Sequence, residues 1–256
     1  MNWKTFYALL ARDGHVARRN LGPMLLQNLL QPLLFTFVFG RVMTSSGMMP
    51  AAYKNMLLPG VMAISMVMAG VQAVAMPLIA EFQFTREIED RLLAPIETGW
   101  LAVAKIATGM IQAILAGLVV IPAAWLIMGS GVTLDFSHPV EFAVVALLVA
   151  GFSSAGGLAL GCSVGQTQIG LMFSLVLAPM MMFGCAYYPW SALESFPVLH
   201  IAVLINPLVY ASEGLRGALV PQVPHMNTFL VIGALAVIDL GLLFLGLRKF
   251  RQKAVS

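Results

Sequence analysis

Six long apolar runs constrain this chain more than any other feature of it. They lie at about 24–43, 56–80, 101–128, 140–164, 169–187 and 229–247. A helix rises about 1.5 Å per residue, so roughly 20 apolar residues cross a hydrocarbon core of about 30 Å. Backbone amides in lipid must be satisfied within the segment or in a closed barrel. Strand-like alternation is absent from these runs, which leaves helices. The expected fold is all-α and integral to the membrane, with six transmembrane helices in one transmembrane domain over residues 1–256. Composition agrees, at 60% hydrophobic and 10% charged residues, where soluble chains carry about 25% charged. A soluble enzyme, a disordered chain and a large soluble domain are excluded on the same grounds.

Orientation follows from lysine and arginine. Lys4, Arg12, Arg18 and Arg19 precede the first run, Arg86, Arg91 and Lys105 surround the second connection, and Arg248, Lys249, Arg251 and Lys253 follow the last run. The opposite side carries Arg41, Lys54 and Arg216. This bias places both termini and residues 81–100 in the cytoplasm, which requires an even number of spans. Residues 189–220 are apolar enough to suggest a seventh, but Pro189, Pro197 and Pro207 interrupt them. Proline breaks helices, so the stretch reads as an extracellular re-entrant hairpin of two short helices before the last span. An ordinary surface loop is the alternative. At the N-terminus, Trp3, Phe6, Tyr7 and Leu10 share one helical face among basic residues, the pattern of an interfacial helix on the cytoplasmic surface. A basic leader that only sets topology is the other reading. No cleavable signal-peptide pattern is visible.

The connection Glu81–Trp100 concentrates charge. Glu87, Ile88, Glu89, Asp90, Arg91 and Leu92 form a short helix with Thr85 as N-cap, acids in the first turn where the helix dipole favours them, and Pro95 soon after its end. Ile88 and Leu92 supply an apolar strip between charged flanks. Such a helix suits docking to a cytoplasmic partner, or it is simply a solvated connection.

Two motifs carry a family resemblance. TREIEDRLLAPI in this connection, and YYPWSAL followed by INPLVYASEGLRGAL before the last run, resemble the membrane subunits of ABC exporters of the type-2 class, which includes drug-resistance and nodulation-factor exporters. Phe196-Pro197 departs from the Pro-Trp-like pair expected in that stretch. The resemblance implies an inner-membrane, multi-pass permease that moves an amphipathic small molecule, lipid or lipid-linked glycan outward. It implies a homodimer with two ABC ATPase subunits beneath it, those subunits binding ATP and Mg. Carried over by motif, Glu87, Ile88, Glu89, Asp90, Arg91 and Leu92 lie on a coupling helix. Tyr188, Pro189, Asn206, Pro207, Tyr210, Glu213 and Arg216 shape an extracellular gate.

The chain itself carries no ATP chemistry. None of Lys4, Lys54, Lys105, Lys249 and Lys253 follows a glycine, so the Gly-Lys-Ser/Thr phosphate loop is missing and the subunit is expected to be non-catalytic. His15, His138, His200 and His225 are scattered, and neither a metal nor a hydrolase constellation emerges. Cys162 and Cys185 lie in apolar runs without a motif partner. Gly157, Gly161 and Gly165 recur every fourth residue, the spacing of close helix packing. Asp239 stands inside the last run, where a charge is costly. Gln31, Gln72 and Gln112 read as interhelical hydrogen-bonders rather than path-lining groups. Phe35, Phe39, Phe173, Phe183 and Tyr187 could offer an apolar surface to cargo, although such residues more often face lipid or core. Substrate-contacting residues are not identified, and nothing points to nucleic acid. Two other function classes remain: a non-transporting membrane assembly protein, and an ion-coupled carrier, for which Asp239 alone is thin support.

Overall fold

The computed structural model describes residues 22, 29–82, 98–129 and 132–255. The N-terminal interfacial helix and the coupling helix expected over Glu87–Leu92 lie outside the described residues. The regular structure of the described residues is all helical, with no strand among them. Its helices are α1 (Leu29–Ser45), α2 (Tyr53–Ala80), α3 (Thr98–Met128), α4 (Pro139–Ser163), α5 (Ile169–Met182), α6 (Pro197–Ile205), α7 (Pro207–Leu219) and α8 (Thr228–Val255). Four of them, α2, α3, α4 and α8, are long and apolar enough to cross a membrane. Parts of α1 and α5 are wound as π-helix, over Thr36–Val42 and Phe173–Leu177.

Helix α2 is the axis of the bundle. Its most apolar stretch is 78% buried, against 17% for α8, so α8 leaves most of its surface to lipid. Lipid provides little hydrophobic drive between helices, and close approach depends on small residues. That is how α4 meets α2. A Cβ on Gly157 would stand 2.7 Å from the Val71 carbonyl oxygen, and one on Gly161 would stand 3.0 Å from the Ala75 Cα. The glycine neighbour is thus in the same chain. Gly165 lies past the end of α4, because Val164 turns to extended backbone (φ −99°, ψ 133°).

Two boundaries differ from the apolar runs. The run at 169–187 contains a helix only as far as Met182; residues 183–189 form an irregular segment in which Cys185 has φ +50°. Its central residues Gly184, Cys185 and Ala186 are buried, with Ala186 packed on α2. A Cβ on Gly60 would fall 1.8 Å from the Ala186 carbonyl oxygen, so only glycine leaves room there. At the other extreme α8 outruns its apolar stretch and stays helical to Val255.

Bonds at the helix ends show which termini share one end of the bundle. Arg41 donates to the Ile127 carbonyl (3.0 Å) and Lys54 to the Met128 carbonyl (3.1 Å). Both cations therefore sit at the C-terminus of α3, where free carbonyls and the helix dipole favour positive charge. This is called the hairpin end below, because α6 and α7 are found there. The opposite, basic end carries the roots of segment 83–97 and the C-terminus of α8.

Candidate functional site

The residues expected to shape a gate converge on one carboxylate. Glu213, on α7, is 1% exposed and pairs with Arg216, which is 0% exposed. Three residues apart on a helix, the two side chains share a face. Glu213 Oε1 also accepts the Trp190 backbone N–H (2.9 Å), and Oε2 accepts the Met226 backbone N–H (2.9 Å). Arg216 Nη2 donates to the Cys185 carbonyl (2.9 Å), and its Nε reaches the Met56 carbonyl at 3.5 Å. A buried ion pair persists only if its remaining hydrogen-bonding groups are also satisfied. Here those partners come from four separate stretches of chain: α2, the 183–189 segment, the turn at Trp190 and the 220–227 connection.

The other expected residues brace the same corner. Asn206 caps α7, its Oδ1 accepting from the Leu208 N–H (3.0 Å), with Pro207 at the first helical position. Its amide nitrogen donates to the Met180 carbonyl of α5 (2.7 Å). Tyr210 donates to the Leu204 carbonyl (2.9 Å) and Tyr188 to the Met182 carbonyl (3.3 Å). Pro189 precedes the turn at Trp190 in extended backbone (ψ 153°). Helices α6 and α7 are bent by 96° to each other at this corner. Both ends of α7 stay near the hairpin end: Asn206 is tied to α5, and the Leu219 carbonyl accepts the Asp135 N–H (2.9 Å) in the α3–α4 connection. Hydrogen bonds from the side chain and backbone of Ser137 hold the Asp135 carboxyl below the usual carboxylate range.

Sequence reasoning missed several members of this assembly. The Trp190 indole stacks on His200 with ring centroids 3.9 Å apart and donates to the His200 carbonyl (3.0 Å). Tyr53 donates to the Tyr187 carbonyl (2.7 Å). Both contacts join residues far apart along the chain or act through main chain, which leaves no local pattern. The aromatic quotation YYPW was the one available hint for Trp190.

Apolar space opens beside the corner. A groove of about 520 Å³ runs between α5 and α6, lined by Leu175, Val176, Met180, Phe183, Leu199 and Val203 among others. Of the five aromatic residues that could have offered a surface to cargo or simply faced lipid or core, Phe183 lines this groove. Phe35, Phe39 and Tyr187 form one cluster, with centroid separations of 5.2–6.1 Å.

A second polar constellation occupies the basic end. Lys105 and Glu81 form a buried pair at 2.7 Å that ties α3 to the end of α2. These are the two helices from which segment 83–97 departs. Lys105 entered the sequence reading only as a topological charge. Asp239 is half-buried against α4; a Cβ on Gly151 would come within 2.5 Å of its carboxylate oxygen. Gln31 is exposed, and the Gln112 side-chain oxygen is buried without a hydrogen-bond partner among the described residues. Neither supports the expected interhelical bond. Among the described residues no group of His, Cys, Asp and Glu could hold a metal ion.

A bundle of apolar helices long enough to cross a membrane agrees with what comparison of the sequence with known families finds. The model of the family described as ABC-2 type transporter matches residues 4–220. The chain belongs to this family. Membership implies that the chain works together with an ABC ATPase. The chain is also similar to the inner membrane transport permease YadH of Escherichia coli K12, at 25% identity over 237 residues, covering 90% of this chain and 89% of that protein. The YadH proteins of Escherichia coli O157:H7 and Shigella flexneri match to the same extent. No solved structure matches the chain.

Proposed function

We propose that this permease subunit is an exporter, carrying an amphipathic or hydrophobic small molecule, lipid or lipid-linked glycan outward across the inner membrane. Two copies form the pathway, and two ATPase subunits bind at the basic, cytoplasmic end. Helices α1, α2, α3, α4, α5 and α8 are its six spans, and both termini are cytoplasmic. Helices α6 and α7 are a re-entrant hairpin in the outer leaflet. At 9 and 13 residues they rise about 14 and 20 Å, and the 96° bend between them turns the chain back instead of carrying it across as one rod. Irregular backbone at membrane depth is tolerated when protein buries it, as α2 buries residues 183–189.

The observation that carries this reading is the Glu213–Arg216 anchor, which fixes the bent pair beside α2 while leaving an apolar groove open along α5. Three of the lysines and arginines counted against the proposed orientation have local work at the hairpin end: Arg41 and Lys54 cap α3, and Arg216 is paired. ATP-driven closure of the ATPases would push on the helix over Glu87–Leu92. Packed helices respond as rigid bodies with discrete arrangements, so the push becomes a tilt of the spans that opens the hairpin end to release cargo.

Exchange of the charges at Glu89 and Arg91 tests the arrangement. The reversed protein should fold and insert, yet lose co-purification of its ATPase. Undiminished recovery of the ATPase would remove the coupling helix from the reading. Neighbouring genes discriminate further, since an assembly protein would lack an adjacent ATPase gene.

A further inference from the structure

The C-terminal turns of α8 do more than carry topological charge. Helix α8 has 28 residues and so rises about 42 Å, beyond a hydrocarbon core of about 30 Å. Its projecting end is nonetheless packed. Phe250 is completely buried among Leu78 of α2, Leu101 and Ile106 of α3, and Leu158 of α4. Its ring meets Phe82 edge-on at 6.1 Å, and Lys253 Nζ stands 4.7 Å above the same Phe82 ring. On the other root, the Arg251 guanidinium lies over Gly99, 3.2 Å from where a Cβ would be. Lys249 donates to Ser163 Oγ (2.6 Å) at the C-terminus of α4. Phe82 adjoins one end of segment 83–97, and Gly99 lies one residue beyond Thr98 at the other. A helix that is peripheral along most of its length thus grips both roots of that segment.

We propose that Phe250, Arg251 and Lys253 are positioning residues that clamp the roots at Phe82 and Gly99 to the last span. Displacement of those roots then drives α8 as well as α2 and α3. Phe250 is the wedge; a bulky ring in a close-packed site transmits displacement because the interior does not compress. Lys253 and Arg251 hold the rim through cation–π attraction and close backbone approach. Because the hairpin is joined to α8 through the short 220–227 connection, and Met226 there bonds to Glu213, motion of α8 reaches the Glu213–Arg216 anchor. This deepens the proposed function, since it rests on segment 83–97 touching the ATPase.

The test uses the full permease–ATPase complex in proteoliposomes, with Phe229→Cys as a reporter at the hairpin end of α8. Phe229 is exposed, and the native Cys162 and Cys185 are both buried. Trapping the complex with ATP should change the maleimide labelling rate of the reporter by about threefold or more. Lys253→Ala should abolish most of that change, Lys253→Arg should restore it, and Phe250→Leu should weaken it. ATPase co-purification should stay at the parent level in all of them. If Phe250→Leu fails to fold, Lys253→Ala at the rim still decides. An unchanged response in Lys253→Ala, or no ATP response of the reporter in the parent, overturns the clamp. Failure of the parent to bind an ATPase at all overturns the proposed function instead.

Discussion

Removing the Arg216 guanidinium is the most informative single perturbation. Arg216→Met keeps an unbranched apolar stem and ends short of the guanidinium. It leaves the Glu213 carboxylate buried with two backbone N–H donors and no cation, and it deprives the Cys185 and Met56 carbonyls of their donor. Breaking a buried pair by removing one partner costs about 3–5 kcal/mol. Glu213→Leu should cost as much, since it strands a buried guanidinium together with the Trp190 and Met226 amides. Each single variant leaves an uncompensated buried charge on top of its unpaired backbone groups, and the double variant leaves no such charge. It should therefore be less damaged than the two single variants summed, with a coupling energy of about 2 kcal/mol. For a chain of this size each kcal/mol moves Tm by about 2–4 °C, so each single variant should melt on the order of 10 °C lower. Thermal unfolding in detergent micelles, read as the monodisperse fraction surviving size exclusion, measures this. Single variants melting within about 3 °C of the parent, or a strictly additive double variant, would refute the anchor.

Other sites give sharper local tests. Gly60→Ala drives a methyl into the Ala186 carbonyl, and the 183–189 segment must lift from α2, at about 1–3 kcal/mol as for other overpacked sites; Gly233→Ala, where nothing lies within 4 Å, is the control in the same melting assay. Lys105→Ala removes the buried cation that bonds Glu81 at 2.7 Å and should destabilise by about 3 kcal/mol, whereas Lys105→Met combined with Glu81→Leu recovers much of the loss. Lys54→Ala at the C-terminus of α3 should cost about 0.3–1 kcal/mol, a shift of roughly 1–4 °C that grows smaller in high salt. Asn206→Ala removes the α7 cap, worth about 1 kcal/mol, and releases Met180, so proteolysis should begin at the α6–α7 corner before any other site.

Much of the bundle was legible because lipid imposes one rule on every span. The runs that became α2, α3, α4 and α8 were readable as continuous apolar stretches, and Pro197 and Pro207 marked the starts of α6 and α7. Failure came where apolar composition signalled burial in protein rather than contact with lipid. Phe183, Cys185 and Ala186 continue the α5 run in hydropathy, yet their backbone is irregular because it packs on Gly60. The opposite error ended α8 early. Arg248, Lys249, Arg251 and Lys253 stop an apolar count, but long basic side chains can lay their stems on apolar surface while their charges reach outward. At the candidate site, Asn206, Pro207, Glu213 and Arg216 were singled out by the motif that carries the family resemblance. Their partners did not, since four of the five bonds made by Glu213 and Arg216 end on backbone atoms. The Glu81–Lys105 pair spans 24 residues and has no local spacing to betray it.

That reliance on main chain has a consequence for how such a protein can diversify. The atoms gathered by Glu213 and Arg216 are the amides of Trp190 and Met226 and the carbonyls of Cys185 and Met56, which almost any amino acid would supply equally well; proline alone is barred at positions 190 and 226, where an N–H must be given. The corner can therefore be relettered, residue by residue, without disturbing the rivets that hold its frame.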